Sequence, residues 1–207
     1  MSILSRFKAF FPSGKQEIPI FPLHAVLFPA GILSLKIFEQ RYIEMTKECL
    51  KNDHYFGISL IQDGQETGAA AIPEAIGCIA KIAEWDMGQS NLLQIRAIGL
   101  DRFKLIDSKV NDKNLIVGHI DLIPPETDMP IPERYEACVG LLRKIIATND
   151  IKAFVEPIKL DSASWVGHRL AELLPLKLSA KQKLMELSDP LIRLDVLAKF
   201  LIQKKLI

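Results

Sequence analysis

Cysteine is scarce and irregularly placed in this chain of 207 residues. Cys49, Cys78 and Cys138 are odd in number and far apart, and no C-x-x-C pair occurs. That excludes the spacing of a zinc ribbon or a thioredoxin-type redox pair, and it predicts reduced, mostly buried thiols in a cytoplasmic protein. An excess of one charge sign is missing as well. The formal net charge is +1, so nothing in the composition attracts nucleic acid, an anionic membrane or an acidic substrate. Nor is there a run approaching the roughly 20 apolar residues of a membrane span. At the N-terminus, Arg6 and Lys8 interrupt the apolar leader and no small-residue cleavage site follows, which argues against a secretory signal. Ile3, Leu4, Phe7, Phe10 and Phe11 fall at helical spacing there, either as a short docking helix or as a turn that covers the core.

The local motifs of catalysis are absent too. A Walker A loop needs two glycines and Lys-Ser/Thr so that backbone amides can cradle phosphates, whereas Gly14-Lys15 lacks the first glycine and is followed by Gln16. There is no G-x-G-x-x-G, no H-E-x-x-H and no G-x-S-x-G. The histidines His24, His54, His119 and His168 are too dispersed for a local metal site, so neither metal nor cofactor is expected. Two residues invite a dispersed Ser-His-Asp or Cys-His constellation, His24 and His168, and both read better as structural histidines.

What is present is 49% hydrophobic residues and 25% charged ones, the balance of an ordinary globular protein able to bury a sizeable core. The stretch Pro19–Tyr42 is the most distinctive. Its prolines rule out a single helix and its apolar content rules out a solvated linker. It predicts strands at Pro19–Leu23 and Ile32–Ile37, joined by a Pro29-Ala30-Gly31 turn. A helix follows from Glu39 to Lys51, on which Tyr42, Met45 and Cys49 share a face, closed by Asn52-Asp53. Further strands are predicted at Tyr55–Ile61, Ala75–Trp85, Asn91–Ile98, Asp101–Val110 and Leu115–Ile123. Such a series predicts a closed or partly closed antiparallel barrel.

Pro124-Pro125 marks a change of character. Residues 125–132 read as a linker between a β subdomain over 18–124 and a helical bundle over 133–207, with residues 1–17 as a leader. Helices are predicted at Glu133–Asn149 and Ser164–Leu174. A capping box at Ser179-Ala-Lys-Gln182 predicts another, and Asp189-Pro190 begins the last.

The motifs Phe21-Pro22-Leu23, Leu27-Phe28-Pro29-x-Gly31 and Leu35-x-Ile37-Phe38-Glu39-x-Arg41-Tyr42 together resemble the signature of the N-terminal domain of Lon-type ATP-dependent proteases. Ile76–Ile82, Gly99–Phe103 and the run from Leu170 to Leu194 resemble that family's later strands and helical part. Ser34 stands where the family pattern leads one to expect proline. The resemblance implies an α+β fold: a PUA-like antiparallel pseudo-barrel with a helix, followed by a C-terminal helical bundle. It points to the stand-alone bacterial members, without the ATPase module or the Ser-Lys protease module, and so to no enzymatic activity and no cofactor.

The implied function is recognition of unfolded or degron-bearing protein segments, linked to quality control or proteolysis, with a separate ATPase or protease as a possible further partner. Such segments are apolar, so the expected site is an exposed apolar groove between barrel and bundle. Phe28, Phe38, Tyr42, Trp85 and Trp165 are the candidate peptide-binding residues. The alternatives are RNA binding, which PUA-like folds also perform and the near-neutral charge disfavours, and a hydrolase with a dispersed site.

Overall fold

The computed structural model describes residues 16–88, 92–148 and 154–207. The apolar leader and part of the Asp86–Ser90 turn lie outside them. Six strands, β1 (Gln16–Leu23), β2 (Ile32–Ile37), β3 (Phe56–Asp63), β4 (Ile72–Met87), β5 (Leu93–Val110) and β6 (Ile116–Leu122), form one sheet in the order β2-β5-β4-β3-β1-β6. Because β6 also pairs with the second half of β5, the ring β5-β4-β3-β1-β6 closes on itself.

Two details differ from the sequence expectation. The segments Asn91–Ile98 and Asp101–Val110 merge into the single 18-residue β5, which pairs with β2 through its first half and with β6 through its second. The barrel is also not wholly antiparallel. β1 and β2 form no hairpin, and β1 runs parallel to β3. A parallel neighbour needs a crossover, and β2 with helix α1 (Gln40–Asn52) supplies it. This helix ends as predicted, with Asp53 in the left-handed conformation at φ 52°.

After the barrel come α2 (Glu136–Thr148), α3 (Ala163–Leu173), α4 (Leu178–Glu186) and α5 (Pro190–Gln203). Asp189 caps α5 as expected, its carboxylate accepting the amides of Leu191 (2.8 Å) and Ile192 (3.2 Å). The capping box at Ser179 does not form. Helix α4 begins two residues earlier with Lys177 as its cap, and Gln182 turns inward to donate to the Ile76 carbonyl at 3.0 Å. A barrel acceptor thereby takes the side chain that the local motif would have used.

One core cluster runs through both parts, joining Phe21, Phe56 and Ile95 of the barrel to Val139, Leu170 and Leu197 of the helices. A second fills the barrel with Ile20, Ile79, Phe103, Ile116 and Ile120. All three cysteines are buried and unpaired. Among the described residues no helix is long and apolar enough to cross a membrane.

Candidate peptide-binding surface

The five predicted aromatics fall into two groups. Phe28 (0% exposed), Tyr42 (3%) and Trp165 (7%) belong to the core, which removes them as contact residues. Their burial has local causes. Tyr42 stacks on Phe21 with ring centroids 3.9 Å apart, and the Arg41 guanidinium lies over its ring 4.6 Å from the centroid. Phe28 packs beneath α3 beside the His168 ring. Phe38 and Trp85, by contrast, are 63% and 57% exposed.

Both exposed rings stand on the arm where β2, β5 and β4 form a three-stranded antiparallel sheet. Register places Leu35, Ile95 and Trp85 in one cross-strand row and Ser34, Arg96 and Glu84 in the next. Neighbouring rows point to opposite faces, so one face of the arm is apolar and the other polar. Trp85 extends the apolar row past the covered part of the sheet, where Met87 is also exposed. A cavity of about 340 Å³ opens here, lined by Leu35, Lys36, Trp85, Ile95 and Arg96. A second, of about 170 Å³, lies across β2 and is lined by Phe21, Leu35, Phe38, Tyr42 and Thr67. Strand β2 therefore stands between two openings, each with an exposed aromatic at its rim.

The junction of barrel and helices, where the groove was expected, is polar and tightly tied. Glu126, from the proline-rich segment, is buried there with its side chain 4% exposed. Arg193 of α5 grips both its oxygens, Arg102 of β5 approaches at 3.2 Å, and the Ser164 hydroxyl donates at 2.6 Å. Arg102 also donates to the carbonyls of Met185 (2.6 Å) and Leu187 (2.7 Å) at the C-terminal end of α4. Burial alone would raise the Glu126 carboxyl, yet the hydrogen bonds and cationic partners hold it well below the usual carboxylate range.

His168 lies 3.4 Å from Glu126. Burial pushes its imidazole down to about 4, against the pull of the Glu126 bond, so it is neutral near pH 7. The two arginines, not the histidine, therefore balance Glu126 at neutral pH. The junction also holds a half-open cavity of about 290 Å³, lined by Ala30, Arg102, Pro125, Trp165 and His168 among others. The arrangement is no catalytic triad. The Ser164 hydroxyl donates a hydrogen bond to Glu126, the carboxylate stands between serine and histidine, and two guanidinium groups pin it. The other candidate, His24, is exposed beside Glu66 at 3.6 Å. Among the described residues no group of three or more His, Cys, Asp or Glu could hold a metal ion.

A related tie explains the Pro29-x-Gly31 motif. Arg169 of α3 is 1% exposed, donates to the Pro29 carbonyl at 2.8 Å and pairs with Glu172. A Cβ on Gly31 would stand 2.7 Å from the Glu172 carboxylate and 2.8 Å from the Phe28 carbonyl, so glycine is required for α3 to dock. Sequence inspection missed both ties. Their signal was a buried arginine in each of two otherwise apolar helix faces, Arg169 and Arg193, which a search for paired opposite charges could have raised.

The family model for the substrate-binding domain of ATP-dependent protease La (LON) matches residues 17–203. Lon protease 2 of Myxococcus xanthus is 27% identical over 203 residues, covering 92% of this chain and 24% of the relative. The Lon protease of Cytophaga hutchinsonii is 25% identical over 189 residues, covering 86% and 23% respectively. The chain thus spans about a quarter of the length of these curated relatives. A crystal structure of a Lon N-terminal domain protein from Xanthomonas campestris superposes with a TM-score of 0.75 at 33% identity, covering 89% of this chain and 98% of that one. The N-terminal domain of Mycobacterium avium complex Lon protease has a TM-score of 0.63 at 13% identity, with 89% and 97% covered, a likeness of fold alone. With the matched region running through the barrel and all four C-terminal helices, this chain belongs to the LON substrate-binding domain family.

Proposed function

We propose that this chain is a non-catalytic protein- and peptide-binding module that captures unfolded or degron-bearing segments on the β2-β5-β4 arm. In this reading it serves protein quality control, passing its cargo to an ATP-dependent protease carried on another chain or elsewhere in a longer one. The observation that carries the reading is the pair of large aromatics, Phe38 and Trp85, left mostly exposed in a member of a substrate-binding family. An exposed aromatic leaves a large apolar area in water, and an unfolded segment offers the apolar side chains that would cover it. The buried polar junction supports the same division of labour, since its charged groups are spent on one another and hold the arm's support in place.

Reduced, carboxymethylated lactalbumin is a suitable unfolded probe, with capture followed by fluorescence anisotropy. Phe38→Ala and Trp85→Ala should each weaken binding by roughly five-fold or more, the range of a modest interface residue. Their circular dichroism and thermal midpoints should stay those of the parent, because neither ring is part of the core. Unchanged affinity in the double variant would remove this surface from the assignment.

A further inference from the structure

Strand β2 is an edge. Among the described residues its only strand partner is β5, and the parity of that pairing is set at its start, where the Gly99 amide donates to the Gly31 carbonyl at 2.9 Å. In an antiparallel pair, alternate residues turn their main-chain groups to the partner and the others turn them away. Leu33, Leu35 and Ile37 therefore bond to β5, while Ile32, Ser34 and Lys36 present N–H and C=O to the open side. The first of these is already occupied, since the Ile32 amide faces the Glu172 carboxylate of α3. Ser34 and Lys36 remain, and among the described residues nothing pairs with their main chain. Across the 170 Å³ opening stand Glu66 and Thr67, so this edge borders a trough rather than bulk surface.

Soluble proteins commonly blunt such an edge with proline or by covering it. Here a serine occupies the outward position at which proline was expected from the sequence pattern, and it keeps the donor that proline would lack. We propose that the open edge of β2 binds an extended polypeptide segment by strand addition at Ser34 and Lys36. This rests on the peptide-binding reading above and specifies its chemistry.

The occupant follows from the two faces. Its residues on the side of Leu33, Leu35 and Ile37 meet the apolar lining of the edge opening, Leu35, Ile37 and Phe38, and are apolar. Those on the side of Ser34 and Lys36 are polar. The Lys36 ammonium is exposed with no ion-pair partner among the described residues, so the residue beside it is acidic. The bound segment thus alternates apolar and polar residues and carries at least one carboxylate. Main-chain bonds supply affinity and the alternate side chains supply selection, as in other strand-addition sites.

The test uses the full chain and an acetylated, amidated nonapeptide alternating valine with threonine, with one threonine replaced by glutamate. Binding is read by anisotropy of a labelled copy. Ser34→Pro removes the outward N–H without touching a bond to β5. It should weaken binding about tenfold or more, with the thermal midpoint and circular dichroism retained. Methylating alternate backbone amides of the peptide on one edge should cause a similar loss with the unaltered protein, which keeps the test decisive should the proline variant fold poorly. Exchanging the glutamate for lysine should weaken binding several-fold at low salt. The proposal falls if methylated and unmethylated peptides bind alike, since the contact would then be through side chains alone. It also falls if light scattering shows a dimer that Ser34→Pro dissociates while no peptide binds, since the edge would then belong to a second copy. Capture of carboxymethylated lactalbumin that survives Ser34→Pro but is lost in the Phe38 and Trp85 variants would overturn strand addition and leave the peptide-binding function standing. Failure to capture either probe would overturn both.

Discussion

At the scale of single residues, two buried groups make the strongest demands. Gly99 sits where β5 passes from β2 to β6, and a Cβ there would lie 2.2 Å from the backbone carbonyl of Phe28, which cannot move aside as a side chain could. Gly99→Ala should destabilise the protein by about 1–3 kcal/mol, seen as a midpoint lowered by roughly 2–4 °C per kcal/mol. His168 predicts a pH dependence. Its folded pKa of about 4 lies below the ordinary value near 6.5, so between these values the unfolded chain binds the extra proton. Stability is therefore full above about pH 6.5 and falls as the pH drops toward 4, by an amount on the order of 3 kcal/mol. Glu126, with its pKa lowered, adds a loss in the same direction at still lower pH. Urea midpoints measured from pH 7 to 4.5 should decline in the parent, and the decline should flatten in His168→Gln. Equal slopes would mean that another group carries the transition.

At the scale of elements, the helix starts show how far local motifs reach. The Asp189 cap was legible because aspartate, proline and the following apolar residues all act within one turn and nothing distant competes. The Ser179 box looked equally good and failed, because Gln182 found an acceptor in the barrel. Asp189→Ala should therefore cost about 0.5–2 kcal/mol, whereas Ser179→Ala should cost almost nothing in the same chemical denaturation series. Comparable losses at both sites would restore the capping box. The strands follow the same logic. Alternation located nearly every strand, but the fusion of two segments into β5 and the parallel pairing of β1 with β3 depend on which strand lies beside which.

At the scale of the whole molecule, the proline-rich segment has a double character. Its composition marks a change from strands to helices, while its Glu126 joins β5, α3 and α5 at one buried point. Removing the carboxylate leaves Arg102 and Arg193 buried together without a counter-charge. Glu126→Ala should therefore cost about 3–5 kcal/mol by urea denaturation. Because one apolar cluster also spans barrel and helices, we expect a single cooperative unfolding transition. Trp85 reports on the barrel arm and Trp165 on the helices, so single-tryptophan variants should give coincident denaturation curves. Separate midpoints would show that the two parts unfold independently.

The sequence by itself determined the family, the order of strands and helices, the burial of the thiols and the absence of the local motifs of catalysis. These depend on residue type and short-range period, which are written along the chain. It narrowed the candidate site to five aromatics and could not sort them, because each ring is equally apolar wherever it lies. Tertiary structure did the sorting. Phe28, Tyr42 and Trp165 are covered by elements distant in sequence, whereas Phe38 and Trp85 stand on an arm that reaches beyond its cover. The open edge at Ser34 and the tie at Glu126 were likewise invisible before folding. An unpaired amide or a compensated charge is defined by what stands next to it in space, and that neighbour is set only when the chain closes.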